Sequence, residues 1–346
     1  MIVDDSIIFR NQIQLALKDV TDIVIAGVAA NGKAALDIMK SANIDLCVLD
    51  IEMPVMDGLQ TLKEMKSLGI KIKTIMFSAQ SRSGAEKTFE AMELGAVDFI
   101  AKPTADGSLS TPGDKIRDAL LPKIRSLCAK ADKPQRLEKP PVTSWLNFNP
   151  EVLVIASSTG GPNALMEFFQ ELKGVQLGIP VLVAQHMPPV FTVSLAEQIQ
   201  RVSGKITAEG IHGEVLQPDR VYVAPGNYHM MISGSVTSQK IELSQGELRN
   251  FVRPSADFLF ETAAKIYQKN VLGVVLTGMG RDGADGAGAI KQKRGMVMIQ
   301  NEESCVVFGM PGAVQQGGYS DFSGTPKELA RKCVNLFQAG RKSHVA

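Results

Sequence analysis

The sequence contains few of the residues that mark several large classes of protein. Among 346 residues there are four cysteines, four histidines and one tryptophan. The cysteines lie far apart and show neither Cys-x-x-Cys spacing nor a disulfide framework, which is typical of a reducing, cytoplasmic environment. The formal net charge is only +1, so no overall field attracts nucleic acid. No apolar run is long enough to span a membrane, and no signal-peptide pattern opens the chain.

The residues that are present predict two α/β domains. Hydrophobic residues make up 45% of the chain, which is sufficient for sizeable cores, and the length favours two domains. In residues 1–131, short apolar runs alternate with amphipathic stretches, which predicts a parallel sheet with helices on both faces. The predicted strands include "TDIVIAGVA", "IDLCVLD", "KTIMFSA" and "AVDFIAK". We expect the closing helix, "GDKIRDALLPKIRSLCAKA", to kink or break at Pro122.

A change in composition separates the two predicted domains. Residues 132–150 contain prolines and charges without a sustained period, which predicts a linker. Residues 151–346 then resume the α/β alternation, with strand-like runs in "EVLVIAS", "IPVLVAQ", "RVYVAPG", "LGVVLTGMG" and "GMVMIQN".

Polar side chains follow the predicted strands of the first domain, where a parallel sheet brings strand ends to one edge. They comprise three carboxylates, a hydroxyl and an amine, namely Asp4, Asp5, Asp50, Ser78 and Lys102. A solvated loop would explain any one of them, but it explains all five less well. Crowded carboxylates repel one another unless a cation neutralises them, and Mg²⁺ prefers oxygen ligands. The sequence therefore predicts a magnesium site at this edge.

The motifs "VDDS", "VLDIEMPVMDGL", "FSA" and "AKP" resemble the receiver domain of two-component response regulators over residues 1–131. The resemblance implies that Asp50 accepts a phosphoryl group from a partner histidine kinase. The other roles it implies are the magnesium ligands Asp4, Asp5, Asp50 and the backbone carbonyl of Glu52, and the phosphoryl contacts Ser78 and Lys102. Receivers begin with more apolar residues than "MIVDD", so we expect either a truncated first strand or a weakened domain.

In the second domain a serine and a histidine each follow an apolar run. Ser158 comes after "VLVIAS", and Pro162 is suited to the first position of the helix that follows. Such a strand-to-helix turn can expose a nucleophilic oxygen beside backbone N–H groups. His186 ends the run "IPVLVAQH" and is a candidate base. A packing turn or phosphate cradle at Ser158 and a structural role for His186 are the alternatives, whereas no Gly-Lys-Ser/Thr follows to make a Walker loop.

The segment "GVVLTGMGRDGADGAGAI" is open to two interpretations. The Gly-x-Gly-x-x-Gly spacing from Gly278 to Gly283, with Glu302 further on, is typical of a dinucleotide site and would indicate an oxidoreductase. However, Asp282 lies in this loop, where it would repel a pyrophosphate, and little chain follows for the rest of a Rossmann sheet. Alternatively, Asp282 orients His186 as the acid of a Ser-His-Asp triad. A third class, the DNA-binding regulators, lacks support because no helix-turn-helix or basic helix is evident.

Six motifs are similar to the catalytic domain of the CheB family of protein-glutamate methylesterases, and the order of receiver, linker and catalytic domain is also that of the family. They are "ASSTGGPNAL", "VAQHMPPVFT", "VAPGNYHM", "RPSADFLFETAA", "LTGMGRDGADG" and "VVFGMPGAV". The resemblance implies Ser158 as nucleophile, His186 as base, Asp282 as its orienting acid and the Met279 N–H as oxyanion donor. We interpret His229 in "PGNYHM" as structural or close to the substrate.

The resemblance also implies a fold and an activity. The expected fold is a flavodoxin-like receiver with a five-stranded parallel sheet, followed by a doubly wound, mostly parallel α/β methylesterase domain. The expected activity is the demethylation of glutamate methyl esters, and the deamidation of glutamines, on chemoreceptors in the cytoplasm. No cofactor is expected in the catalytic domain, and the receiver is expected to restrain the esterase until Asp50 is phosphorylated.

Overall fold

The computed structural model describes residues 1–104, 111–129, 145, 148–235 and 238–342, the side chains of 338–342 excepted. Contacts between Cα atoms divide the chain into two units, Met1–Lys133 and Pro134–Ala346. The domain boundaries expected from the sequence, at 131 and 150, stay a prediction, and most of the expected linker lies outside the described residues. None of the described helices is both long and apolar enough to cross a bilayer. All four cysteines are free, as their spacing predicted.

The first unit is built on a five-stranded parallel sheet in the order β2-β1-β3-β4-β5. This is the flavodoxin-like order, and it confirms the expected receiver fold. The strands are β1 (Ile2–Val3), β2 (Val28–Ala29), β3 (Leu46–Asp50), β4 (Lys73–Ser78) and β5 (Asp98–Ala101). The helices are α1 (Ile7–Leu17), α2 (Gly32–Ser41), α3 (Gly58–Ser67), α4 (Arg82–Glu93) and α5 (Pro112–Cys128).

The structure differs from two local predictions for this unit, the extent of strand β2 and a break of helix α5 at Pro122. Strand β2 contains only the last two residues of "TDIVIAGVA", because the strand beside it, β1, offers only two residues to pair with. Helix α5 continues through Pro122 without a break. Pro122 lies on the exposed side of the helix, as does Asp118 one turn earlier. Water can therefore satisfy the Asp118 carbonyl that loses its helical N–H partner.

The second unit contains a seven-stranded sheet and a separate antiparallel hairpin. Its strands are β6 (Val152–Ser157), β7 (Val181–Gln185), β8 (Thr207–Glu209), β9 (Val221–Val223), β10 (His229–Ser235), β11 (Ser238–Ser244), β12 (Val271–Val275), β13 (Met296–Gln300) and β14 (Phe322–Gly324). Its helices are α6 (Gly161–Gln170), α7 (Phe191–Ser203), α8 (Ala256–Tyr267), α9 (Ala284–Gln292), α10 (Met310–Gln316) and α11 (Pro326–Lys342).

The order of the large sheet positions three loops side by side. It runs β14-β13-β12-β6-β7-β9-β8, with every pair parallel. The chain extends from β6 to one side through β7 and later returns to the other side with β12, so the order reverses next to β6. Ligands of open parallel sheets bind outside the carboxyl ends of the strands at such a reversal. The loops that follow β6, β7 and β12 meet there.

The β10–β11 hairpin was not predicted from the sequence. Its inner face contributes Met230, Ile232 and Ile241 to the core of the second unit, alongside residues of α8. Most of the outer positions are polar, with Met231 as an exception, and the run "HMMISGS" lacks the continuous apolar character of the parallel strands. Such alternation between apolar and polar residues is typical of a hairpin that covers a core with one face and exposes the other.

Candidate active site

Ser158 lies on the turn between β6 and α6. Its N–H donates to the carbonyl of Thr277 (3.0 Å), and its carbonyl accepts from the N–H of Gly161 (2.7 Å). Gly160 has a left-handed φ of 75°, which lets the chain turn into the helix, and a Cβ there would lie 2.6 Å from Val306. In the part of the chain that the structure describes, the Ser158 hydroxyl has no hydrogen-bond partner, and no bond joins it to His186. The serine is half-buried at the sheet edge, with its oxygen free for a ligand.

His186 and Asp282 contact each other across the same edge. The Nε2 atom of His186 lies 2.7 Å from Oδ2 of Asp282, and both side chains are largely buried. The backbone of His186 is fixed by its N–H, which donates to the Ser157 carbonyl (3.1 Å). Because an ionised carboxylate can only accept, Nε2 carries the proton. The lone pair is then on Nδ1, which is the ring nitrogen available to act as a base.

Asp282 is ionised by its surroundings. Burial by itself raises the pKa of the carboxyl, but the hydrogen bond and charge of His186 and further donors outweigh this and hold the pKa below its ordinary value. Its other donors are Ser255 Oγ (2.6 Å), Ala256 N–H (2.6 Å), Asn250 Nδ2 (3.1 Å) and Asp257 N–H (3.4 Å). Three of these donors come from the start of α8 or the residue before it. The aspartate is therefore a fixed negative charge that can orient His186 and stabilise its protonated form.

A second buried carboxyl, that of Asp257, lies next to the carboxyl of Asp282. Burial, with the negative charge of Asp282 adding to it, raises the pKa of Asp257 to about 6. Asn250 Nδ2 bridges the pair, since it also donates to Asp257 Oδ2 (2.8 Å), and the Gly286 N–H donates to Oδ1 (2.8 Å). The Arg249 side chain is 3.5 Å from the same carboxyl. Asp257 is thus held next to Asp282 by a shared amide donor.

The motif "RPSADFLFETAA" does not by itself indicate a role for Ser255 or Asp257, and no motif includes Asn250. The signal available was the position of polar residues at the N-terminus of a predicted helix. Such residues usually cap their own helix, yet Ser255 makes no side-chain cap bond and donates to Asp282.

Gln185 joins the nucleophile turn to the base. This buried residue ends β7. Its Oε1 accepts from Ser157 Oγ (2.6 Å), while its Nε2 donates to the carbonyls of Ser158 (3.0 Å) and His186 (3.1 Å). One amide group therefore connects the residues that carry the serine and the histidine. The sequence contained a hint, because a glutamine directly before His186 at a buried strand end needs polar partners.

The backbone N–H groups near Ser158 that have no acceptor among the described residues include those of Thr159 and Met279. Met279 was predicted from the sequence as an oxyanion donor, whereas Thr159 was not, although it directly follows the serine. Gly278 brings the Met279 loop against the serine turn, since a Cβ on Gly278 would lie 2.8 Å from Ser158 Cβ. Free N–H groups beside a nucleophile are the arrangement that binds a developing oxyanion.

His229 contacts the backbone of Ser255, one of the residues that bind Asp282. Its Nδ1 accepts from the Ser255 N–H (3.1 Å), and its Nε2 donates to the Glu247 carbonyl (2.9 Å). These two bonds are satisfied only by the neutral ring with a proton on Nε2. Burial lowers the pKa of His229 from its ordinary value, which also favours the neutral form. Of the two roles expected for His229, the contacts support the structural one, because the ring positions Ser255.

The same geometry removes support for the dinucleotide interpretation. Gly280 and Gly283 do adopt positive φ values, 77° and 88°, as a glycine-rich loop requires. However, the loop places a buried, ionised Asp282 against His186. A negative charge in the middle of the loop would repel a pyrophosphate.

In the first unit, the predicted carboxylates converge. Asp4, Asp5 and Asp50 each offer an oxygen, and these oxygens lie within 4.8 Å of one another. Lys102 Nζ lies 2.8 Å from an oxygen of Asp50 and 3.1 Å from an oxygen of Asp4. Burial, with the charge of Asp4 adding to it, raises the pKa of Asp50 to about 6 despite the hydrogen bond from Lys102. Oδ2 of Asp4, the atom that lies 3.1 Å from Lys102 Nζ, is buried and makes no hydrogen bond of good geometry, so this set of oxygens fits a hard divalent cation.

The remaining predicted residues lie around this cluster. Asp5 and Glu52 line one cavity of about 410 Å³, and the Glu52 side chain pairs with Lys87 (2.5 Å). The Ser78 hydroxyl faces α4, where it donates to the Gly84 carbonyl (3.1 Å) and accepts from Thr88 Oγ1 (2.8 Å). No hydrogen bond joins Ser78 to Asp50 in the described structure. Its predicted contact with a phosphoryl group would therefore need a change of rotamer.

Comparison with known proteins gives matches over both units. The family model described as CheB methylesterase matches residues 153–333, and the response regulator receiver domain matches residues 1–111. A relative from Caulobacter vibrioides, protein-glutamate methylesterase/protein-glutamine glutaminase 2, is 42% identical over 328 residues, or 93% of each chain. A relative from Trichodesmium erythraeum, protein-glutamate methylesterase/protein-glutamine glutaminase, is 38% identical over 330 residues, covering 93% of this chain and 94% of its own. The crystal structure of the Thermotoga maritima CheB methylesterase catalytic domain is 37% identical with a TM-score of 0.52, covering 55% of this chain and 100% of that one.

Proposed function

This chain belongs to the CheB methylesterase family and carries a response-regulator receiver domain ahead of its methylesterase domain, and on that premise we propose that it removes methyl groups from glutamate γ-methyl esters of chemoreceptors. The same site deamidates receptor glutamines. The observation that carries the proposal is the 2.7 Å contact between His186 and an ionised Asp282 at the sheet edge where Ser158 has a free hydroxyl.

In the first half of the reaction, Ser158 Oγ attacks the ester carbonyl while His186 Nδ1 takes the hydroxyl proton. The carbonyl oxygen becomes an oxyanion, for which the N–H groups of Met279 and Thr159 are the nearest candidate donors. When the intermediate collapses, the bond to the methoxy oxygen breaks and that oxygen leaves as methanol with the proton from Nδ1. The glutamyl group is then esterified to Ser158.

The second half returns the enzyme to its starting state. A water molecule attacks the acyl group and gives one proton to His186 Nδ1. The bond to Ser158 Oγ breaks, the serine regains this proton, and the receptor keeps a glutamic acid, which releases its proton to solvent and becomes a carboxylate. With a glutamine substrate, ammonia replaces methanol as the leaving group and the acyl-enzyme is the same. Asp282 holds the ring so that Nδ1 faces the serine in both halves.

For the receiver, we propose that Asp50 accepts a phosphoryl group from a chemotaxis histidine kinase. Asp4, Asp5, Asp50 and the backbone carbonyl of Glu52 would hold Mg²⁺, which supplies positive charge against the transferring phosphoryl group. Lys102 neutralises part of the same charge, and its contacts with Asp4 and Asp50 support this role. The kinase and the receptor tails are cytoplasmic in such a pathway, so the cytoplasm is the proposed location.

The esterase proposal is tested by methanol release. Receptor membranes carrying labelled methyl groups are mixed with the wild-type chain, and volatile label is counted. We expect release by the wild type and a loss of nearly all release with Ser158→Ala or His186→Ala. Because a triad acts as a unit, the double variant should be little slower than either single variant. Equal release by wild type and Ser158→Ala would contradict the proposal.

A further inference from the structure

The turn between Arg249 and Val252 has an unusual backbone. These two residues exchange both backbone hydrogen bonds, of 3.3 Å and 3.0 Å, and form an isolated antiparallel bridge. Between them Asn250 and Phe251 have φ values of 53° and 63°, as in a type I′ turn. Asparagine suits the first of these positions, but glycine normally occupies the second. A bulky residue such as Phe251 is strained at positive φ.

Phe251 is also the most exposed of the large apolar side chains in the described residues, at 95%. Its ring therefore contributes almost nothing to the hydrophobic core. Glycine at this position would relieve the backbone strain and remove the apolar ring from water. Because the phenylalanine is unfavourable on both counts, the fold itself does not account for it, and strain of this kind concentrates at functional sites.

The turn is attached directly to the active site. Asn250, the neighbour of Phe251, donates from Nδ2 to Asp282 (3.1 Å) and to Asp257 (2.8 Å). Consecutive Cα atoms are about 3.8 Å apart, so the Phe251 backbone is one residue from a direct contact with the aspartate that orients His186. The exposed ring therefore belongs to the residue next to one of the site's hydrogen-bond donors.

Arginine side chains hold the turn at Arg249, its first residue, and at Arg253, directly after its last. Arg249 makes two hydrogen bonds to the Glu261 carboxylate, of 2.8 Å and 2.6 Å. Arg253 donates to Asn227 Oδ1 (2.6 Å) and to the Gln245 carbonyl (2.7 Å). A partner that binds this turn would lose little entropy in ordering it, which is the usual benefit of a preorganised contact.

We propose that Phe251 is a substrate-docking residue, whose ring packs against an apolar side chain on the helix that carries the methylated glutamate. The inference rests on the proposed function and names a determinant of its protein substrate. Residues three, four or seven positions from the glutamate share its helix face. An apolar side chain at such a position can meet the ring while the ester is at Ser158. Buried aromatic side chains commonly dominate protein interfaces.

The test compares two substrates in Phe251→Ala and Phe251→Gly, both made in the full chain. One substrate is the methyl-labelled receptor, and the other is a capped single-residue glutamate γ-methyl ester, which has no neighbouring helix. We expect the ratio of kcat/KM for the receptor to kcat/KM for the small ester to fall about tenfold in both variants. Phe251→Tyr should restore most of the ratio. Phe251→Gly should in addition raise Tm, because glycine accepts the positive φ.

The matched control is Ile206→Ala. Ile206 is also an exposed apolar residue, 67% accessible, but it precedes β8 and so lies at the opposite, amino edge of the sheet. Its variant should keep the wild-type ratio. A wild-type ratio in both Phe251 variants, or a lower Tm in Phe251→Gly, would overturn the docking role while leaving the esterase intact. If the wild-type chain released no methanol from receptors, the proposed function would fail and the docking role with it.

Discussion

Buried polar side chains at the active site are each matched to specific partners. Asp282 accepts five hydrogen bonds, and the amide of Gln185 makes three. A buried polar group that loses a partner costs about 1–3 kcal/mol, so such a network tolerates few substitutions. Its members should affect both the stability of the second unit and the geometry of the triad, and suitable variants separate these two effects.

Gln185→Met should lower kcat, and the fall should be larger than the loss of stability alone would explain. Methionine is close in size but cannot donate to the Ser158 and His186 carbonyls, so the nucleophile and the base would lose their common tether. A displacement of about 1 Å at reacting groups can cost about 10²-fold in rate. We expect a fall of this order in kcat for the small glutamyl ester, with KM little changed, measured by steady-state kinetics.

Gln300→Met is the matched control for this prediction. Gln300 is also a buried glutamine at the end of a strand, and it accepts from the Thr277 N–H (2.8 Å). It makes no bond to the serine or the histidine of the triad. Its variant should lose similar stability and much less kcat. Equal kcat losses in the two variants would indicate that Gln185 acts through general packing.

His229 should make the second unit less stable as the pH falls. Its pKa is lowered in the folded state by burial, whereas an unfolded histidine titrates at about 6.5. Below that value the unfolded chain binds a proton that the folded chain does not. The stabilising contribution of neutral His229 is therefore complete above about pH 6.5 and is lost as the pH falls below it.

The measurement is urea unfolding at a series of pH values. The single tryptophan, Trp145, packs under Lys332 Nζ (4.7 Å from the ring centroid) and reports on the second unit. His229→Gln should flatten the fall in the free energy of unfolding between about pH 7 and 5. His212→Gln is the control, because His212 also accepts a backbone N–H at Nδ1 but is exposed. Identical pH profiles for wild type and His229→Gln would contradict the prediction.

Among the elements, the turns after β6, β7 and β12 matter more for function than the strands themselves. The strands are continuous buried apolar runs, typical of a parallel sheet covered on both faces. The turns carry the candidate triad and depend on glycines where they approach one another. Gly278 makes one of these close approaches, because its missing side chain leaves room for Ser158 and for Met310.

Gly278→Ala should reduce esterase activity about 10²-fold or more. The added Cβ would lie 2.8 Å from Ser158 Cβ, closer than real Cβ contacts allow, so the serine turn and the Met279 loop must separate. The loss should be in kcat, measured with the small glutamyl ester. Gly113→Ala, whose nearest contact would be an ordinary 3.7 Å, is the control and should keep full activity. Normal kcat in Gly278→Ala would show that the two turns adjust independently.

In the whole molecule, two α/β units of related architecture carry different chemistry. The first unit holds the carboxylates and Lys102, and the second holds the candidate triad. Each has its own sheet and its own buried core. The Thermotoga maritima relative, whose catalytic domain is a structure by itself, supports studying the second unit as a separate fragment.

Phosphorylation of Asp50 should raise the esterase rate of the full chain and leave a fragment of residues 148–346 unchanged. The phosphoryl group brings about 1.5–2 negative charges to a position where the Asp50 carboxylate had one, in a pocket that already contains Asp4. Stabilising an alternative state of the receiver by a few kcal/mol is enough to shift its population strongly. The measurement is receptor methanol release with acetyl phosphate and Mg²⁺, and we expect the fragment to be faster than the unphosphorylated chain.

Asp50→Asn is the control for this prediction. It should take up no label from radioactive acetyl phosphate, and its esterase rate should stay at the unphosphorylated level. Label that persists in Asp50→Asn would place the phosphorylation elsewhere. Equal basal rates for fragment and full chain would leave activation by phosphorylation but exclude restraint by the receiver.

The sequence by itself determined the α/β class, both sheets' main strands and the positions of the principal polar residues. Ser158, His186, Asp282 and Asp50 could be singled out because each follows an apolar run, and strand ends of parallel sheets meet at one edge. These features depend on the periodicity of short segments, which the sequence contains directly. The motifs then indicated the family, and their similarity to known proteins confirmed it.

Only the tertiary structure decided which groups touch. That Nε2 of His186 faces Asp282, and that Ser255, Asn250 and Gln185 hold the site together, depends on contacts between residues up to 96 positions apart. The length of β2 depended on its partner strand, and the continuity of α5 depended on which side of Pro122 faces water. The strained, exposed Phe251, next in sequence to Asn250, is likewise visible only in the tertiary structure, because no local pattern predicts positive φ for a phenylalanine.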